Sequence, residues 1–335
     1  MPNYDCVGVI GGGSWGTTLA HILGKNGYKT LLWLRDPDII QEIKENQRNS
    51  GYTHDFALSD KIIPTDDLKE VADRCELMIV AIPSGSFRKV LYQLGNHVKG
   101  DQILVSACKG MEVETCCSMT EIFKVETCVK KIGVLSGPNL FQEILKGNPC
   151  AAVIASKFHE VLHKVVEKFN CRGFRVYTNE DVIGVELGGV IKNVIAIAAG
   201  MADGLGFGNN TKALLMTRGI AEMRRIGVKI GANSLTFAGL SGLGDMLVTS
   251  SSKLSRNYRV GYYLAQGQNL AKILQDMNSV AEGINTSKVL HEFCLFSKVR
   301  VPIIEGVYQI LYENKSMRQV VCELMAQPAH LEISS

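Results

Sequence analysis

The run Cys6-Val7-Gly8-Val9-Ile10 passes directly into Gly11-Gly12-Gly13-Ser14-Trp15-Gly16 and then into the helical segment TTLAHILGKNG. An apolar strand, a GxGxxG turn and a helix in that order mark the opening βαβ unit of a dinucleotide-binding sheet. Gly11 permits the tight turn, Gly13 lets backbone approach a pyrophosphate, and Gly16 allows close helix packing. The first amides of the helix then face the anion. Without that context, the same glycines would be a structural turn.

Four further β-rich runs follow in the first half, at 30–34, 77–82, 102–107 and 132–136, with 150–155 and 174–178 extending the series. Continuous apolar strands separated by crossover-length segments predict a parallel sheet covered on both faces. After about residue 180 the pattern becomes helical, broken by GLGFGNN at 204–210 and GLSGLGD at 239–245. The expected fold is therefore α/β: an N-terminal doubly wound, Rossmann-like sheet (residues 1–180, dinucleotide-binding), followed by a mainly helical C-terminal domain (181–335, substrate-binding and catalytic). A reaction cleft belongs between them, since ligand sites favour domain interfaces.

The formal net charge of +3 over 335 residues is too small for a nucleic-acid or membrane footprint and suits a small anionic ligand better. The N-terminus has no basic region followed by an apolar run, so no export signal is expected. Glu186 and Lys192 interrupt the apolar stretch 183–201, which reads as a buried helix rather than a membrane span. Ten cysteines without a CxxC pair or framework spacing fit reduced thiols in a cytoplasmic protein.

At the end of the second strand, where an NAD-selective site usually carries an acid, the sequence reads Leu34-Arg35-Asp36. Arg35 would contact a 2′-phosphate or lie solvated, and Asp36 would take the ribose of NADH. NADPH is expected to serve at least as well as NADH.

Lys192 lies in ELGGVIKNVIAIAAG, where burial would lower its pKa and suit it to proton exchange. The bland alternatives are snorkelling to solvent or pairing with Glu186. Asp245 ends a glycine cluster that can bring backbone close to a ligand, or it serves as an N-cap. Ser255-Arg256-Asn257 combines a hydroxyl, a forked cation and an amide suited to phosphate. Lys109 follows the strand at 102–107, at the sheet edge where ligands bind, and a solvated loop lysine is its alternative. His159-Glu160-Val161-Leu162-His163 matches HExxH. The stripe Phe158, Val161, Leu162, Val165, Val166, Phe169 leaves both histidines on the solvated face, so no metal site is expected.

Taken together, GGGSWGTTLA, SACKG, LSGPN, VIKNVIAIAAG, GLSGLGD, SRN and VAEG occur in the order found in soluble bacterial-type glycerol-3-phosphate dehydrogenases. The chain resembles that family over nearly its whole length. The resemblance implies that Ser14, Trp15 and Arg35 contact the dinucleotide, and that Lys109 touches both cofactor and substrate. It implies that Gly137 lines the substrate, that Lys192 exchanges the proton, and that Asp245, Ser255, Arg256 and Asn257 surround glycerol phosphate. Arg256, Val280 and Glu282 match further cofactor contacts. Asn139-Leu140-Phe141 departs from the family pattern, and Phe141, beside the nicotinamide, must turn away or reshape the pocket.

The implied reaction passes hydride between NADPH or NADH and the dihydroxyacetone phosphate/glycerol 3-phosphate pair, supplying glycerophospholipid synthesis. The implied partners are a small phosphorylated substrate and, as an open option, a second copy in a homodimer. Two rivals are another two-domain hydroxyacid or ketopantoate-type dehydrogenase and a non-catalytic nicotinamide sensor.

Overall fold

The computed structural model describes residues 4–277 and 281–328. Its strands are β1 (Cys6–Ile10), β2 (Thr30–Trp33), β3 (Ile62–Thr65), β4 (Cys75–Val80), β5 (Ile103–Ser106), β6 (Lys131–Ser136), β7 (Cys150–Ser156) and β8 (Phe174–Asn179). They form one sheet in the order β3-β2-β1-β4-β5-β6-β7-β8. The first six pair in parallel. Their order, 3-2-1-4-5-6, is that of two mononucleotide-binding halves joined between β1 and β4.

Interleaved helices are α1 (Ser14–Lys25), α2 (Pro37–Asn46), α3 (Ser50–Thr53), α4 (Leu68–Arg74), α5 (Ser84–Gly95), α6 (Met119–Glu126), α7 (Phe141–Leu145) and α8 (His159–Phe169). Strand side chains alternate between two buried layers. Val9, Leu32, Ile79 and Val105 pack with Leu19, Leu23 and Phe169 on one face. Ile10, Leu31, Val80 and Leu104 pack with Phe87, Leu91 and Phe123 on the other. Burial on both faces is why these strands read as continuous apolar runs.

Two features of the sheet were not expected, an added edge strand and a reversed one. β3, the Ile-Ile-Pro-Thr edge strand, is too short and proline-bearing to have stood out, and an edge tolerates Pro64. β7 runs antiparallel to β6, with Gly133 opposite Ser156, while β8 is parallel to β7. The connection 137–149 holds only the single helical turn of α7, so it reverses the chain instead of carrying it over the sheet.

Beyond β8 the described residues form helices: α9 (Val182–Gly204), α10 (Asn209–Lys229), α11 (Asp245–Ser251), α12 (Arg256–Ala265), α13 (Leu270–Met277), α14 (Glu282–Ser297), α15 (Pro302–Tyr312) and α16 (Met317–Met325). By length and composition α9 could cross a membrane, yet 89% of its most apolar window is buried inside the protein. It is the central core helix, with α10, α11, α12, α14 and α15 packed around it. Glycines bring α9 and α12 together: a Cβ on Gly200 would sit 2.0 Å from the Tyr258 carbonyl oxygen, and one on Gly261 2.0 Å from that of Ile197. A small apolar cluster of Val134, Val153, Ala155 and Val185 joins α9 to the sheet.

Candidate active site

The glycine turn lies at the carboxyl end of β1, against the end of β4. Gly11 has φ +123°, and a Cβ there would meet the Ala81 carbonyl oxygen at 2.4 Å. A Cβ on Gly16 would lie 1.9 Å from the Gly11 carbonyl oxygen, so helix and turn touch through bare backbone. Around Gly13 a Cβ would meet no protein atom within 4 Å. Packing within the chain does not require glycine there, whereas close approach of a ligand does. Gly13 is also the N-cap of α1 and gives no side-chain hydrogen bond to the first-turn amides. The Trp15 indole nitrogen is buried without a hydrogen-bond partner. An exposed backbone cradle, uncapped amides and an orphaned donor fit a dinucleotide pyrophosphate.

Around this turn, the Ser14 hydroxyl donates to the Tyr52 carbonyl (2.9 Å) and so braces the α3 segment. Arg35 is exposed just past β2. Asp36 uses Oδ1 as the N-cap of α2, accepting from the amides of Asp38 (3.0 Å) and Ile39 (3.4 Å), which competes with contact to a ribose. Phe141 is the half-buried first residue of α7, which packs against α1. Val280 lies outside the described residues.

Three charged side chains meet across the boundary between sheet and helices. Lys192, in the middle of α9, is 7% exposed, and Asp245, opening α11, is 1% exposed. The Lys192 ammonium donates to Asp245 Oδ1 (2.7 Å) and to Thr249 Oγ1 (2.7 Å). From the sheet side, Lys109 Nζ donates to Asp245 Oδ2 (2.6 Å) and to the Gly137 carbonyl (2.7 Å). One buried carboxylate thus holds two ammonium groups, one per oxygen. Gly137 turns its carbonyl toward Lys109 with φ +129°, a conformation glycine adopts readily.

Burial pushes the Lys192 pKa down to about 8; the Asp245 charge opposes the shift, while Lys109 and Arg256 add to it. A pKa in that range suits the amine to proton exchange near neutral pH. Pairing with Glu186, one of the alternatives, is not what the structure has: Glu186 accepts from the Thr120 amide (3.0 Å) and hydroxyl (2.7 Å) at the start of α6. Nor is Asp245 an N-cap: Gly244 holds that position, and Asp245 is the first helical residue of α11.

The Ser-Arg-Asn run is divided in its use. Ser255 is the N-cap of α12, its hydroxyl accepting from the Tyr258 amide at 3.3 Å. Asn257 is buried, donating to Asn193 Oδ1 (2.8 Å) and accepting from the Gly283 amide (3.0 Å). Arg256 keeps solvent contact. The walls of the cleft nevertheless hold its guanidinium below the ordinary value, with Glu282 partly opposing. Glu282 opens α14 and reaches back to the sheet, accepting from the Ser84 amide (3.0 Å) and hydroxyl at the start of α5.

Two residues of this network were missed in the sequence, Thr249 and Asn193. Asn193 donates to the Lys109 carbonyl (3.0 Å) as well as receiving Asn257. Thr249, four positions after Asp245 on one helical face, was legible once Asp245 was chosen. His159 and His163 lie on the outer face of α8, with side chains 87% and 81% exposed.

A dinucleotide-type glycine turn on the sheet and a buried lysine of lowered pKa among the helices together define a nicotinamide-dependent oxidoreductase. Two family models match, described as the NAD-dependent glycerol-3-phosphate dehydrogenase N-terminus over residues 6–162 and C-terminus over residues 181–322. The chain belongs to the NAD-dependent glycerol-3-phosphate dehydrogenase family. It is 44% identical over 324 residues to the glycerol-3-phosphate dehydrogenase [NAD(P)+] of Citrifermentans bemidjiense, covering 96% of this chain and 97% of that one. To the enzyme of the same name from Syntrophotalea carbinolica it is 43% identical, covering 98% and 99%. A crystal structure of glycerol-3-phosphate dehydrogenase from Coxiella burnetii superposes with TM-score 0.93 at 30% identity, covering 97% of this chain and 99% of that one.

Proposed function

We propose that the Lys192–Asp245–Lys109 cluster is the catalytic centre of an NAD(P)-dependent dehydrogenase acting on the dihydroxyacetone phosphate/glycerol 3-phosphate pair. The observation that carries this reading is one buried carboxylate shared by two lysines from opposite sides of the cleft. The dinucleotide supplies or accepts the hydride at C2. In ketone reduction, protonated Lys192 donates to the developing alkoxide, and in alcohol oxidation the neutral amine takes the proton. Asp245 orients Lys192 while Lys109 adds positive potential beside the Gly137 carbonyl, so that charge is placed before the substrate arrives.

Arg256 holds the phosphate at the rim, with Ser255 and Asn257 fixing the helix that presents it. Gly11, Gly13, Ser14, Trp15 and Gly16 hold the pyrophosphate, and Arg35 takes a 2′-phosphate. Phe141, seated beside α1, borders the nicotinamide end of that site. Glu282 and Lys109 complete the cofactor contacts. The working division of the chain falls near residue 180, with cofactor on one side and substrate on the other. A cytoplasmic enzyme feeding glycerophospholipid synthesis, alone or as a homodimer, accords with this chemistry.

The test is oxidation of reduced nicotinamide with dihydroxyacetone phosphate against ketopantoate and other small ketones, using NADH and NADPH in parallel. Turnover is expected with the phosphorylated ketone, and NADPH should serve at least as well as NADH. Preference for a carboxylate substrate would overturn the substrate assignment, and strong NADH preference would overturn the role of Arg35.

A further inference from the structure

On the far side of α9 from the sheet, helices α9, α10, α15 and α16 enclose a cavity of about 470 Å³. Its volume falls within the roughly 300–1,000 Å³ of small-molecule sites. Most of the wall is hydrocarbon, including Met201, Leu205, Leu215, Val307, Ile310 and Met317. Set into it are Arg218 and Arg225 on α10 and Arg300 just ahead of α15. Among the described lining residues the carboxylate is Glu222. That acid is fully buried and already used: its oxygens accept from the amides of Ile303 (2.8 Å) and Ile304 (3.1 Å), capping the first turn of α15.

Arg225 is the group left wanting an acceptor. Among the described residues its Nε is buried with no hydrogen-bond partner; burial lowers the pKa of its guanidinium, the Glu222 charge opposes that shift, and Arg218 and Arg300 add to it. Arg300 donates to Gln327 (2.8 Å) at the rim. A buried donor without a partner is expensive, and a cationic one is best met by an anion. A small hydrophilic anion would satisfy Arg225 but waste the walls, and a neutral lipid would fill the walls but leave Arg225 unpaired. Only an amphiphile with one anionic end meets both demands.

We infer that this cavity binds a linear fatty acid, its carboxylate on Arg225 and its chain along the apolar faces of α9, α15 and α16. The site is separate from the catalytic cleft but shares a helix with it: Ala198, Met201 and Ala202 line the cavity on the same α9 that carries Lys192.

The test uses the full chain and dodecanoate below its micelle-forming concentration, followed by titration calorimetry and thermal unfolding. Wild-type protein should bind saturably at one site and unfold at higher temperature, because a ligand specific to the folded state stabilises it. Arg225→Gln should weaken binding at least tenfold, and so should Leu214→Trp, which crowds the rim. Dodecanol, lacking the charge, should bind at least tenfold more weakly than dodecanoate. Arg256→Ala should leave dodecanoate binding unchanged, which separates this site from the catalytic cleft and the readout from turnover.

No saturable binding, or equal affinity in Arg225→Gln, would overturn the inference. Loss of binding in Arg256→Ala would move the ligand to the cleft and overturn it equally. A chain ending at Pro328 that bound dodecanoate tenfold more tightly would assign the cavity to the protein's own terminus. A dimer that dodecanoate dissociated would assign it to a second copy.

Discussion

Lys192 has a pKa that is the product of two opposed effects, burial pressing it down and Asp245 holding it up. Replacing it with methionine keeps the packing and removes the proton. The loss in kcat is expected to be about 10²–10⁴-fold, the usual contribution of a placed acid or base, with dinucleotide binding retained. Near-normal turnover in a folded Lys192→Met protein would end the assignment. The pH profile should carry the same signature: ketone reduction needs the charged amine and falls as pH rises through about 8. Alcohol oxidation needs the neutral amine and rises over the same range. Asp245→Asn removes the charge that favours protonation, so both limbs should move to lower pH in steady-state profiles. Limbs that stay in place would show that another group controls them.

Helices α9 and α12 are in backbone contact at Gly200 and Gly261, besides the side-chain bonds of Asn257 to Asn193 and of Tyr258 to Asp203. Gly261→Ala places a methyl group against the Ile197 carbonyl, where nothing flexible can yield. A destabilisation of about 1–3 kcal/mol is expected from overpacking, read as a lower denaturant midpoint. Because α12 begins at Arg256 and α9 carries Lys192, KM for the phosphorylated substrate should rise as well. An alanine protein with unchanged stability would show that the helices are free to separate.

Most elements were legible because their signals are local. Apolar runs marked β1, β2 and β4 to β8, and the stripe on α8 fixed which face its histidines take. Strand direction was not local: whether segment 137–149 crosses over or turns back depends on how far α7 carries the chain. The edge strand at Ile62–Thr65 was obscured by Pro64. At the site, residue types could be proposed singly, but the sequence offers no spacing that would pair Lys109 with Asp245. That pairing follows from where β5 ends and α11 begins. Ser255 and Asn257, read as ligand groups, also serve as a helix cap and an interhelical bridge, a second use that only tertiary contacts reveal.

Across the whole molecule, stability carries a pH dependence from buried acids. Burial raises the Glu222 pKa from 4.5 to about 7. Between those values the folded chain binds more proton than the unfolded one, so this group's contribution is complete below about 4.5 and is lost as pH climbs through about 7. Glu222→Gln should flatten the decline in Tm over that interval. An unaltered slope would place the titration elsewhere.

The sheet and the helices are also tied by several polar contacts, Glu186 to Thr120, Glu282 to Ser84 and Asn193 to the Lys109 backbone. The shared carboxylate adds a functional tie to these structural ones. Asp245 answers to a lysine from each side, so the helical portion holds the carboxylate and one ammonium group while the sheet portion supplies the other. A chimera joining the first portion of one family member to the second of another would inherit its chemistry only if the two parents agree on the height and tilt of their shared seam. The placement of Lys109 by the one part is thereby tied to the placement of Asp245 by the other.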